Sequence, residues 1–595
     1  MTKLKKILDL LTPHERKRAL LLLGMILVMA LLDVIGVASV LPFMAVLANP
    51  KMVETSAVLA KVYQRLGFTD TQQFLFFLGI MVFVLLVFSL GFKSLTTYVQ
   101  LRFTLKCELS LAKRLIEGYL HQPYTWFLNR NSADLGKNIL SEIGHLVIDK
   151  AILPMLTLIA QGAVAVSLLM LLLMVDPLLA LIVGAVLSIA YGSIYLLMGG
   201  YLTRIGLESI KANQERFTVV SEAFGAAKEV KVGGLEQAYI RRFTIPAEIF
   251  ARNHASAQVV ALLPRYMLEA IAFGGILLVA LTIMARSGGL ASTISIISLY
   301  AFTGYRLMPA LQQIYGSFSQ LRFAGPALDE IHADLMSLKP VEQKHTITEA
   351  MPLKQAIQLT DVSFSYPNAS QPALKGFNLS IPVHSTIGLV GSTGSGKTTT
   401  VDLILGLLEP QKGQLAIDGQ VINGSNRRQW QQAIGYVPQQ IYLSDDSVAA
   451  NIAFGAEVNN IDQASVERSA KIANLHDFVI NELPQGYDTT VGERGVRLSG
   501  GQRQRIGIAR ALYHNPQVLI MDEATSALDN LTELAVMEAV NNLGHNMTII
   551  LIAHRLSTVR QCDHIYLLEK GQVKAQGTYD ELAQKSEIFK AMAII

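Results

Sequence analysis

The chain has 595 residues, of which 51% are hydrophobic and 16% are charged. Ordinary soluble domains carry about 25% charged residues, so a purely cytosolic or disordered protein is excluded. The net charge of +4 is too balanced to indicate a nucleic-acid partner. The two cysteines, Cys107 and Cys562, are too few for a disulfide scaffold and are typical of soluble parts in a reducing compartment.

Six long apolar stretches in the first half predict an α-helical transmembrane domain with six spans over residues 1–322. A helix needs about 20 apolar residues to cross a hydrocarbon core of about 30 Å, and each stretch reaches that length. Several are apolar on every side, which disfavours a large soluble core. The first is too long for a signal peptide, so we expect it to be retained. The stretches are residues 19–47, 73–98, 151–175, 177–199, 259–285 and 290–315.

Lysine and arginine counts predict the orientation of this domain. The N-terminal tail, residues 99–150 and residues 200–258 together carry 21 of these residues, whereas the connections on the opposite side carry four. Basic residues collect in cytoplasmic loops. The N-terminus, the two long connections and the C-terminal half are therefore predicted to be cytoplasmic, in a multi-pass protein of the inner (cytoplasmic) membrane.

Other segments are predicted around the spans. Residues 53–66 have near-helical apolar spacing and predict a short amphipathic helix at the outer membrane face. The long cytoplasmic connections are helix-forming, so the spans should continue as helices beyond the bilayer. Residues 323–355 are predicted to be a linker. From residue 356 to 595, short Val/Ile-rich runs alternate with helical stretches, which indicates a cytoplasmic α/β domain with a largely parallel sheet.

Residues 391–398 read G-S-T-G-S-G-K-T and match the phosphate-loop pattern G-x-x-x-x-G-K-[ST]. An apolar strand run, Ile387–Val390, precedes the loop and a helical run begins at Lys397, which is the context that such a loop requires. Glycines let the backbone wrap around phosphate, and N–H groups at the helix start face the anion. Lys397 is predicted to reach the β- and γ-phosphates of ATP, and Thr398 to offer its hydroxyl to Mg²⁺.

Two further motifs in this half suit phosphate chemistry. Val518–Glu523 predicts a buried strand that ends in two carboxylates, of which Asp522 is placed to assist Mg²⁺ and Glu523 to polarise the attacking water as a general base. Leu498–Gln502 is a glycine-rich turn that opens a helical run, so it offers a second anion-binding helix terminus. A tight turn without a ligand is the alternative for this second motif.

In their order and spacing, these motifs resemble the nucleotide-binding domain of ATP-binding-cassette (ABC) transporters, with Leu498–Gln502 as the family signature. The resemblance implies that Tyr366 stacks on adenine, that Gln439 senses Mg²⁺ and water, that His554 contacts the γ-phosphate, and that Asp529 organises a dimer contact. The predicted catalytic residues are Glu523, His554 and Gln439, the predicted metal contacts are Thr398 and Gln439, and the predicted ATP-binding residues are Tyr366, Gly391, Ser392, Thr393, Gly394, Ser395, Gly396, Lys397, Thr398, Thr399, Asp522, Ser499, Gly500, Gly501 and Gln502.

In the ABC family, ATP lies between the phosphate loop of one domain and the signature of another. A chain with one of each therefore resembles a half-transporter that works as a homodimer, while a heterodimer stays open. Six spans followed by the cassette resemble the exporter class, as does the segment Thr490–Gly495. The resemblance implies coupling helices near Pro123–Asn129 and Gly225–Glu236, which ATP-driven closure of the cassettes would draw together.

Charged residues inside the spans are energetically expensive and indicate functional sites. The candidates are Asp33, Lys93, Arg265, Glu269 and Arg306. Arg265 and Glu269 stand four residues apart on one helix face. They either neutralise each other or contribute to a substrate site.

Residues 264–269, 292–295 and 305–309 resemble the bacterial flippases of lipid-linked oligosaccharides in protein N-glycosylation. This resemblance implies a polyprenyl-pyrophosphate-linked glycan that is turned from the inner to the outer leaflet, with Lys93, Arg265 and Arg306 on its pyrophosphate and the outer helix on its lipid tail. Lys93 replaces an arginine of that pattern and cannot bind phosphate in a bidentate manner. The alternatives are a general ABC exporter of lipids, drugs or peptides, and an ATP-gated channel or regulator, against which the complete catalytic set argues.

Overall fold

The structure is a computed structural model that describes most of the chain. Its contacts divide the chain into two compact units, Met1–Gln122 with Asn129–Val341, and Pro123–Leu128 with Glu342–Ile595. A short piece of the N-terminal half therefore belongs to the second unit. The described residues are 3–48, 50, 53, 56–175, 177–286, 290–339, 349–367, 369–492, 495–523, 530–543, 547–553, 556 and 558–593.

The N-terminal half is built from helices. All six apolar stretches lie in them, as their all-round hydrophobicity predicts. Within the described residues, three segments are long and apolar enough to cross a membrane, Pro13–Leu47, Thr71–Leu120 and Ser132–Met174. The helices are α1 (Lys3–Leu10), α2 (Pro13–Ala38), α3 (Val40–Ala48), α4 (Ala57–Arg65), α5 (Thr71–Leu120), α6 (Tyr124–Phe127), α7 (Ser132–Lys137), a π-helical segment (Asn138–Ile152), α8 (Leu153–Val175), α9 (Pro177–Gly225), α10 (Ala227–Val232), α11 (Glu236–Arg286), α12 (Leu290–Phe323) and α13 (Gly325–Ser337).

The first span contains a junction that the sequence analysis did not predict, since α2 ends at Ala38 and α3 begins at Val40. Pro42 has no N–H group to donate to the carbonyl of Ala38, and its ring disfavours a continuous helix there. Ser39 occupies the junction and donates its hydroxyl to the Gly36 carbonyl at 2.8 Å. The span over residues 19–47 is therefore two helices in sequence.

Three helices of the described chain extend far beyond the thickness of a bilayer, as predicted. α5 has 50 residues, α9 has 49 and α11 has 51, so at 1.5 Å per residue each is about 75 Å long. The predicted coupling regions each contain a short helix, α6 in one and α10 in the other. The first of these, α6, lies in the Pro123–Leu128 piece that belongs to the second unit.

The outer segment contains α4, which begins at Ala57 because Ser56 is its N-cap and has an extended backbone. Residues 54–55 of the predicted helix lie outside the described chain. Tyr63, Phe68, Phe74 and Phe77 form an aromatic cluster against it, with ring centroids 5.2 to 6.4 Å apart. This packing fixes the segment on the start of α5. Its position at the membrane surface stays a prediction.

The predicted linker, residues 323–355, is partly helical. α13 occupies its first part and buries Ala327, Leu328 and Ile331. Residues 340–348 lie outside the described chain. The domain boundaries 1–322, 323–355 and 356–595 therefore stay predictions.

The second unit has an α/β architecture with two sheets, as the alternating runs predict. Its strands are β1 (Ala356–Phe364), β2 (Leu374–Pro382), β3 (Thr386–Gly391), β4 (Lys412–Ile417), β5 (Gln420–Val421), β6 (Ile434–Val437), β7 (Val518–Asp522), β8 (Thr548–Ile552), β9 (His564–Glu569) and β10 (Gln572–Gly577). The smaller sheet is antiparallel, in the order β2-β1-β4-β5. The larger has the order β10-β9-β3-β8-β7-β6, and only its β10–β9 pair is antiparallel among the described strands.

Apolar cores lie on both faces of the larger sheet. Along β7, Leu519 and Met521 join one core while Val518 and Ile520 join the other, which explains why this strand is a continuous apolar run. Ligands of such sheets bind at the carboxyl ends of the parallel strands. The helices of this unit are α14 (Lys397–Ile404), α15 (Arg427–Gln432), α16 (Val448–Ile452), α17 (Gln463–Ile472), α18 (His476–Glu482), α19 (Gly500–Leu512), α20 (Asn530–Leu543), α21 (Tyr579–Lys585) and α22 (Glu587–Ala593).

Candidate functional site

The phosphate loop connects the carboxyl end of β3 to the start of α14, and glycines shape its backbone. A Cβ atom at Gly391 would lie 2.3 Å from the Leu568 carbonyl oxygen, so this position admits no side chain. Gly394 and Gly396 have φ angles of 79° and 105°, in the left-handed region that glycine favours. The loop conformation is therefore determined mainly by residues within the motif.

Lys397 is the first residue of α14, and its side chain turns back into the loop. Its Nζ donates to the carbonyl oxygens of Gly391 at 2.7 Å and Ser392 at 3.1 Å, and the residue is only 6% exposed. Burial lowers the pKa of this ammonium group, and the carboxylates of Glu523 and Asp522 oppose that shift. The loop thus holds a buried cation that an anionic phosphate would stabilise.

The remaining loop positions divide into exposed and packed residues. Ser395 is buried, and within the described chain its Oγ makes no hydrogen bond. A buried hydroxyl of this kind suits a ligand that accepts a hydrogen bond. Thr399 is also buried, and its hydroxyl lies 3.2 Å from the Tyr366 hydroxyl, which joins that aromatic residue to the loop. The exposed positions are Ser392, Thr393, Gly394 and Thr398.

The two carboxylates and the glutamine meet at the same sheet edge. Asp522 ends β7, and Glu523 follows with a φ of 49°, a conformation that non-glycine residues rarely adopt. The Glu523 N–H donates to the Ile552 carbonyl at 3.1 Å. Gln439, just beyond β6, donates its Nε2 to Glu523 Oε2 at 2.7 Å. β6 and β7 are parallel neighbours, so their carboxyl ends bring these side chains together.

The signature segment opens α19 through a reciprocal cap. The Ser499 hydroxyl accepts from the Gln502 N–H at 3.2 Å, and Gln502 Oε1 accepts from the Ser499 N–H at 2.7 Å. Gly500 and Gly501 form the first turn of the helix. The phosphate loop and the signature therefore start two different helices of the chain.

Some of the predicted functional residues lie outside the described residues. They are Asp529, His554 and residues 493–494 of the segment Thr490–Gly495. Their assigned contacts with the γ-phosphate, the dimer and the transmembrane domain stay predictions.

Within the spans, the structure brings two of the three predicted substrate residues together around Asp33. Arg306 of α12 donates its Nη1 to Asp33 Oδ1 at 2.9 Å, and Ser89 of α5 donates its hydroxyl to the same oxygen at 2.7 Å. Lys93, one turn further along α5, places its Nζ 4.0 Å from Asp33 Oδ2. Helices α2, α5 and α12 thus share one buried ion-pair network.

Arg265 is not part of that network. Its Nε donates to Glu269 Oε1 at 3.0 Å, so the neutralising i,i+4 pair forms, and both side chains are exposed by more than a third. Arg265 also lines a cavity of about 380 Å³ between α8, α11 and α12, together with the amide side chains of Gln312, Gln313 and Gln320. A polar amphiphile would find hydrogen-bonding groups there.

Comparisons with known proteins agree with this geometry. Residues 374–526 match the family described as ABC transporter. A relative named ATP-dependent lipid A-core flippase, from Cupriavidus pinatubonensis, is 32% identical over 486 residues, which cover 81% of each chain. A relative of the same name from Cupriavidus metallidurans is 33% identical over 490 residues, again with 81% of each chain covered. The chain belongs to the ATP-binding-cassette exporters.

The fold of this exporter also matches a solved structure described as a bacterial Atm1-family ABC exporter with ATP bound. The TM-score is 0.78 over 97% of both chains, at 23% identity. The protein is thus a membrane-embedded half-transporter with one ATP-binding cassette, and it couples ATP hydrolysis to transport. The predicted family, exporter fold and ATPase activity are confirmed.

Asp402 in α14 of this exporter was not predicted from the sequence, and the residue is buried, with only 8% exposed. Burial, and then the negative charge of Asp522, raise the pKa of its carboxyl to about 6. The pKa of Tyr124 in α6 is also raised. The main cause is burial, and the smaller cause is the negative charge of Asp402. The available signal was a single carboxylate in the otherwise apolar helical run 401–405.

Proposed function

We propose that this exporter is a flippase that uses ATP to turn a polyprenyl-pyrophosphate-linked oligosaccharide, or a related glycolipid, from the inner to the outer leaflet. The observation that carries the proposal is the pair of cations, Arg306 and Lys93, held around the buried Asp33 inside the spans. Charge at that depth is costly and seldom present without a function. Guanidinium and ammonium groups suit the phosphate oxygens of a lipid.

The position of the charges favours a lipid over a freely soluble substrate. Arg306 and Lys93 lie on helices that also carry long apolar runs, so an amphiphile could keep its tail in the bilayer while its phosphate reaches the cations. The aromatic segment around α4 would contact that tail. The asymmetry of basic residues among the connections supports an inner (cytoplasmic) membrane location with the cassette in the cytoplasm.

In the cassette, residue positions suggest the division of roles during hydrolysis. Lys397 and the N–H groups at the start of α14 would bind the β- and γ-phosphates. Glu523 would take a proton from the attacking water, held in place by its hydrogen bond from Gln439. The roles of Tyr366 on adenine and of His554 on the γ-phosphate follow from the family resemblance.

The oxygen groups at this edge fit Mg²⁺. Thr398 offers an exposed hydroxyl, Asp522 contributes a carboxylate at the strand end, and Gln439 uses its nitrogen on Glu523, so its carbonyl oxygen would face the metal. Hard oxygen ligands of these types are the ones that Mg²⁺ prefers. When bound, the metal would offset the negative charge of the phosphates.

A homodimer would complete two ATP sites. Each chain carries one phosphate loop on α14 and one signature on α19, and each motif would face its counterpart in the other copy. Closure of the cassettes on ATP would then move the transmembrane helices, because α6 belongs to the same unit as the cassette. The energy for this movement is the higher affinity of ATP for the closed dimer.

A second candidate substrate is the lipid A-core type of glycolipid. The observation that favours it is the name shared by the two Cupriavidus relatives, which match this chain over four fifths of their length. Arg306, Lys93 and the amide-lined cavity beside Arg265 would serve this substrate through the same kinds of contact.

The test is leaflet transfer in proteoliposomes that contain the purified exporter, ATP and a fluorescent polyprenyl-pyrophosphate disaccharide. Arg306→Ala and Arg265→Ala are expected to lose about tenfold or more of the flipping rate, and to lose far less of their ATP hydrolysis, because a charge-assisted contact to the substrate is removed. A lipid A-core glycolipid supplied in parallel identifies which substrate is preferred.

Arg204→Ala is the matched control, because Arg204 also pairs with a glutamate four residues away, at 3.6 Å, but in the cytoplasmic extension of α9. This variant should flip at the wild-type rate. Wild-type flipping in both the Arg306 and Arg265 variants would refute the assigned substrate contacts. Stimulation of ATP hydrolysis by uncharged amphiphiles and not by glycolipid would favour a general exporter.

A further inference from the structure

Asp33 is the most deeply buried member of the charged network in the spans. Its side chain is 1% exposed, whereas the side chains of Arg306 and Lys93 are 13% and 35% exposed. The carboxylate therefore lies behind the two cations. A ligand that approaches from the side on which Lys93 and Arg306 are exposed would contact these cations and would not contact Asp33.

The two oxygens of Asp33 are satisfied unequally. Oδ1 accepts from Arg306 and from Ser89, at 2.9 and 2.7 Å. Oδ2 is buried and accepts no hydrogen bond within the described part of the chain, and Lys93 Nζ stands 4.0 Å from it. An arrangement selected only for stability would be expected to satisfy both oxygens, because unpaired buried acceptors are rare and costly.

The formal charges of this cluster sum to +1, because Arg306 and Lys93 contribute two positive charges and Asp33 contributes one negative charge. Water screens these charges only weakly where the side chains are buried. Arg306 reaches Asp33 through Nη1, and a guanidinium carries five N–H donors in all. The cluster is therefore short of one negative charge on the side where its cations are more exposed.

We propose that Asp33 is a resident counter-anion that orients Arg306 and Lys93 toward the substrate and limits how tightly they hold its anionic phosphate group. Asp33 is a positioning residue, since it acts through the cations and does not touch the substrate. It holds the cations in place before the lipid arrives, and its negative charge lowers their affinity for the phosphate group so that the lipid can leave. This inference rests on the proposed function and adds a determinant of affinity and release to it.

An ordinary interhelical salt bridge would predict something different. Buried ion pairs often add little stability compared with packed apolar residues, and a purely structural pair needs one cation for one anion. Here a second cation is present and more exposed, and it is held at ion-pair distance without a hydrogen bond to the carboxylate within the described chain. The surplus positive charge is what a receptor for an anionic group requires.

The experiment is a charge series at constant shape, measured as ATP hydrolysis in lipid nanodiscs. Asp33→Asn keeps a carbonyl oxygen for Arg306 and Ser89 and changes the cluster from +1 to +2, while Lys93→Gln changes it to zero. The probes are a polyprenyl pyrophosphate and the uncharged polyprenol of the same length. The readouts are the lipid concentration that gives half-maximal stimulation and the maximal stimulated rate.

For polyprenyl pyrophosphate, we expect the half-maximal concentration to fall about tenfold in Asp33→Asn and to rise about tenfold in Lys93→Gln, since each step changes the local charge by one unit. The maximal rate should fall in Asp33→Asn, because release becomes slower. The response to polyprenol should be the same in all variants. Ser89→Ala, which removes a hydrogen bond and no charge, should shift the half-maximal concentration by less than about twofold.

The following results would contradict the proposed role of Asp33 or the proposed substrate class. An unchanged or higher half-maximal concentration in Asp33→Asn, or an equal shift with polyprenol, would overturn the role of Asp33. An equal shift in Ser89→Ala would assign the effect to helix packing and overturn it too. If Asp33→Asn does not fold, an unshifted Lys93→Gln refutes the charge dependence. Failure of the phosphate lipid to stimulate wild type, with stimulation by polyprenol, would overturn the proposed substrate class and this inference with it.

Discussion

Two buried cations of this exporter are held in opposite ways. Lys397 in the phosphate loop donates to carbonyl oxygens five and six residues away in the chain. Arg306 in the spans donates to a carboxylate 273 residues away. The first arrangement exists wherever the loop forms, whereas the second exists only when α2 and α12 pack together. The phosphate loop can therefore be recognised as a contiguous motif, and the charged cluster in the spans cannot.

The two cations also differ in the groups that would lose a partner if the cation were replaced. The carbonyl oxygens around Lys397 are neutral dipoles, and the burial that lowers its pKa shows that the charge itself is disfavoured there. The partner of Arg306, in contrast, is the carboxyl group of Asp33, which is almost inaccessible to solvent. Loss of Lys397 should therefore affect function alone, while loss of Arg306 should affect function and folding.

The largest expected effect is on the locally encoded site. Glu523→Gln should lower ATP hydrolysis by about 10²- to 10⁴-fold, because an amide cannot accept the proton of the attacking water. The amide oxygen can still accept from Gln439, so the local geometry is kept. The measurement is phosphate release by the purified exporter at saturating ATP. A rate within tenfold of wild type would show that another group is the base.

The next effect compares the two cations directly. Arg306→Met should destabilise the protein by about 3–5 kcal/mol, because it strips a buried carboxylate of its closest charged partner. Lys397→Met should change stability by less than about 1 kcal/mol, because the hydrogen bonds that it removes go to neutral carbonyl oxygens. Thermal unfolding in detergent without nucleotide, followed by helical circular dichroism, measures both.

A double variant provides the control for this comparison. Asp33→Asn combined with Arg306→Met removes both charges and should recover most of the stability that Arg306→Met loses. Equal losses in the Arg306 and Lys397 variants, or no recovery in the double variant, would contradict the distinction between dipole-held and charge-held cations. ATP binding should be lost in Lys397→Met and retained in Arg306→Met.

The smallest expected effect concerns Asp402 and depends on pH. Its pKa rises from an ordinary 3.8 to about 6 on folding, so the ionised carboxylate opposes the folded state. Below pH 3.8 the group is protonated in both states and there is no penalty; the penalty grows as pH rises and is complete above about 6. Asp402→Asn should therefore stabilise the cassette by at most about 3 kcal/mol at pH 8, and by less at pH 5.

Intrinsic fluorescence can follow this change, because both tryptophans, Trp126 and Trp430, belong to the second unit. Asp418→Asn is the matched control. Burial raises the pKa of Asp418, but hydrogen bonds from the N–H groups of residues 354–356 together lower it below the ordinary value. This variant should be destabilising at pH 8 and less so as pH falls through the lowered pKa. The same pH slope in both variants would refute the assignment.

Several features of the fold and the ATP site followed from the sequence. Apolar run length predicted the six helical stretches, and alternating Val/Ile-rich runs predicted the α/β cassette. The phosphate loop was visible because Gly391 and Lys397 act within one short segment. The hydrogen bond between Gln439 and Glu523 was not predicted, since it depends on β6 lying beside β7.

Other features were not visible in the sequence. The junction at Ser39 depends on where Pro42 falls within a helix that is apolar on both sides of the break. Asp402 looked like one more helical residue, because its burial depends on the fold and cannot be seen in the helical run itself. The sequence named Lys93, Arg306 and Asp33 as separate charged residues in the spans, and it did not predict that the two cations share this carboxylate.

The sequence by itself determined the properties that depend on near neighbours along the chain. These are the length of the apolar helices, the backbone freedom of the glycines in the phosphate loop and the unequal numbers of lysine and arginine in alternate connections. Tertiary structure alone decided which charges meet, because a charge acts through distances that helix packing sets. The contact of three helices brings Asp33, Ser89, Lys93 and Arg306 into one charged cluster.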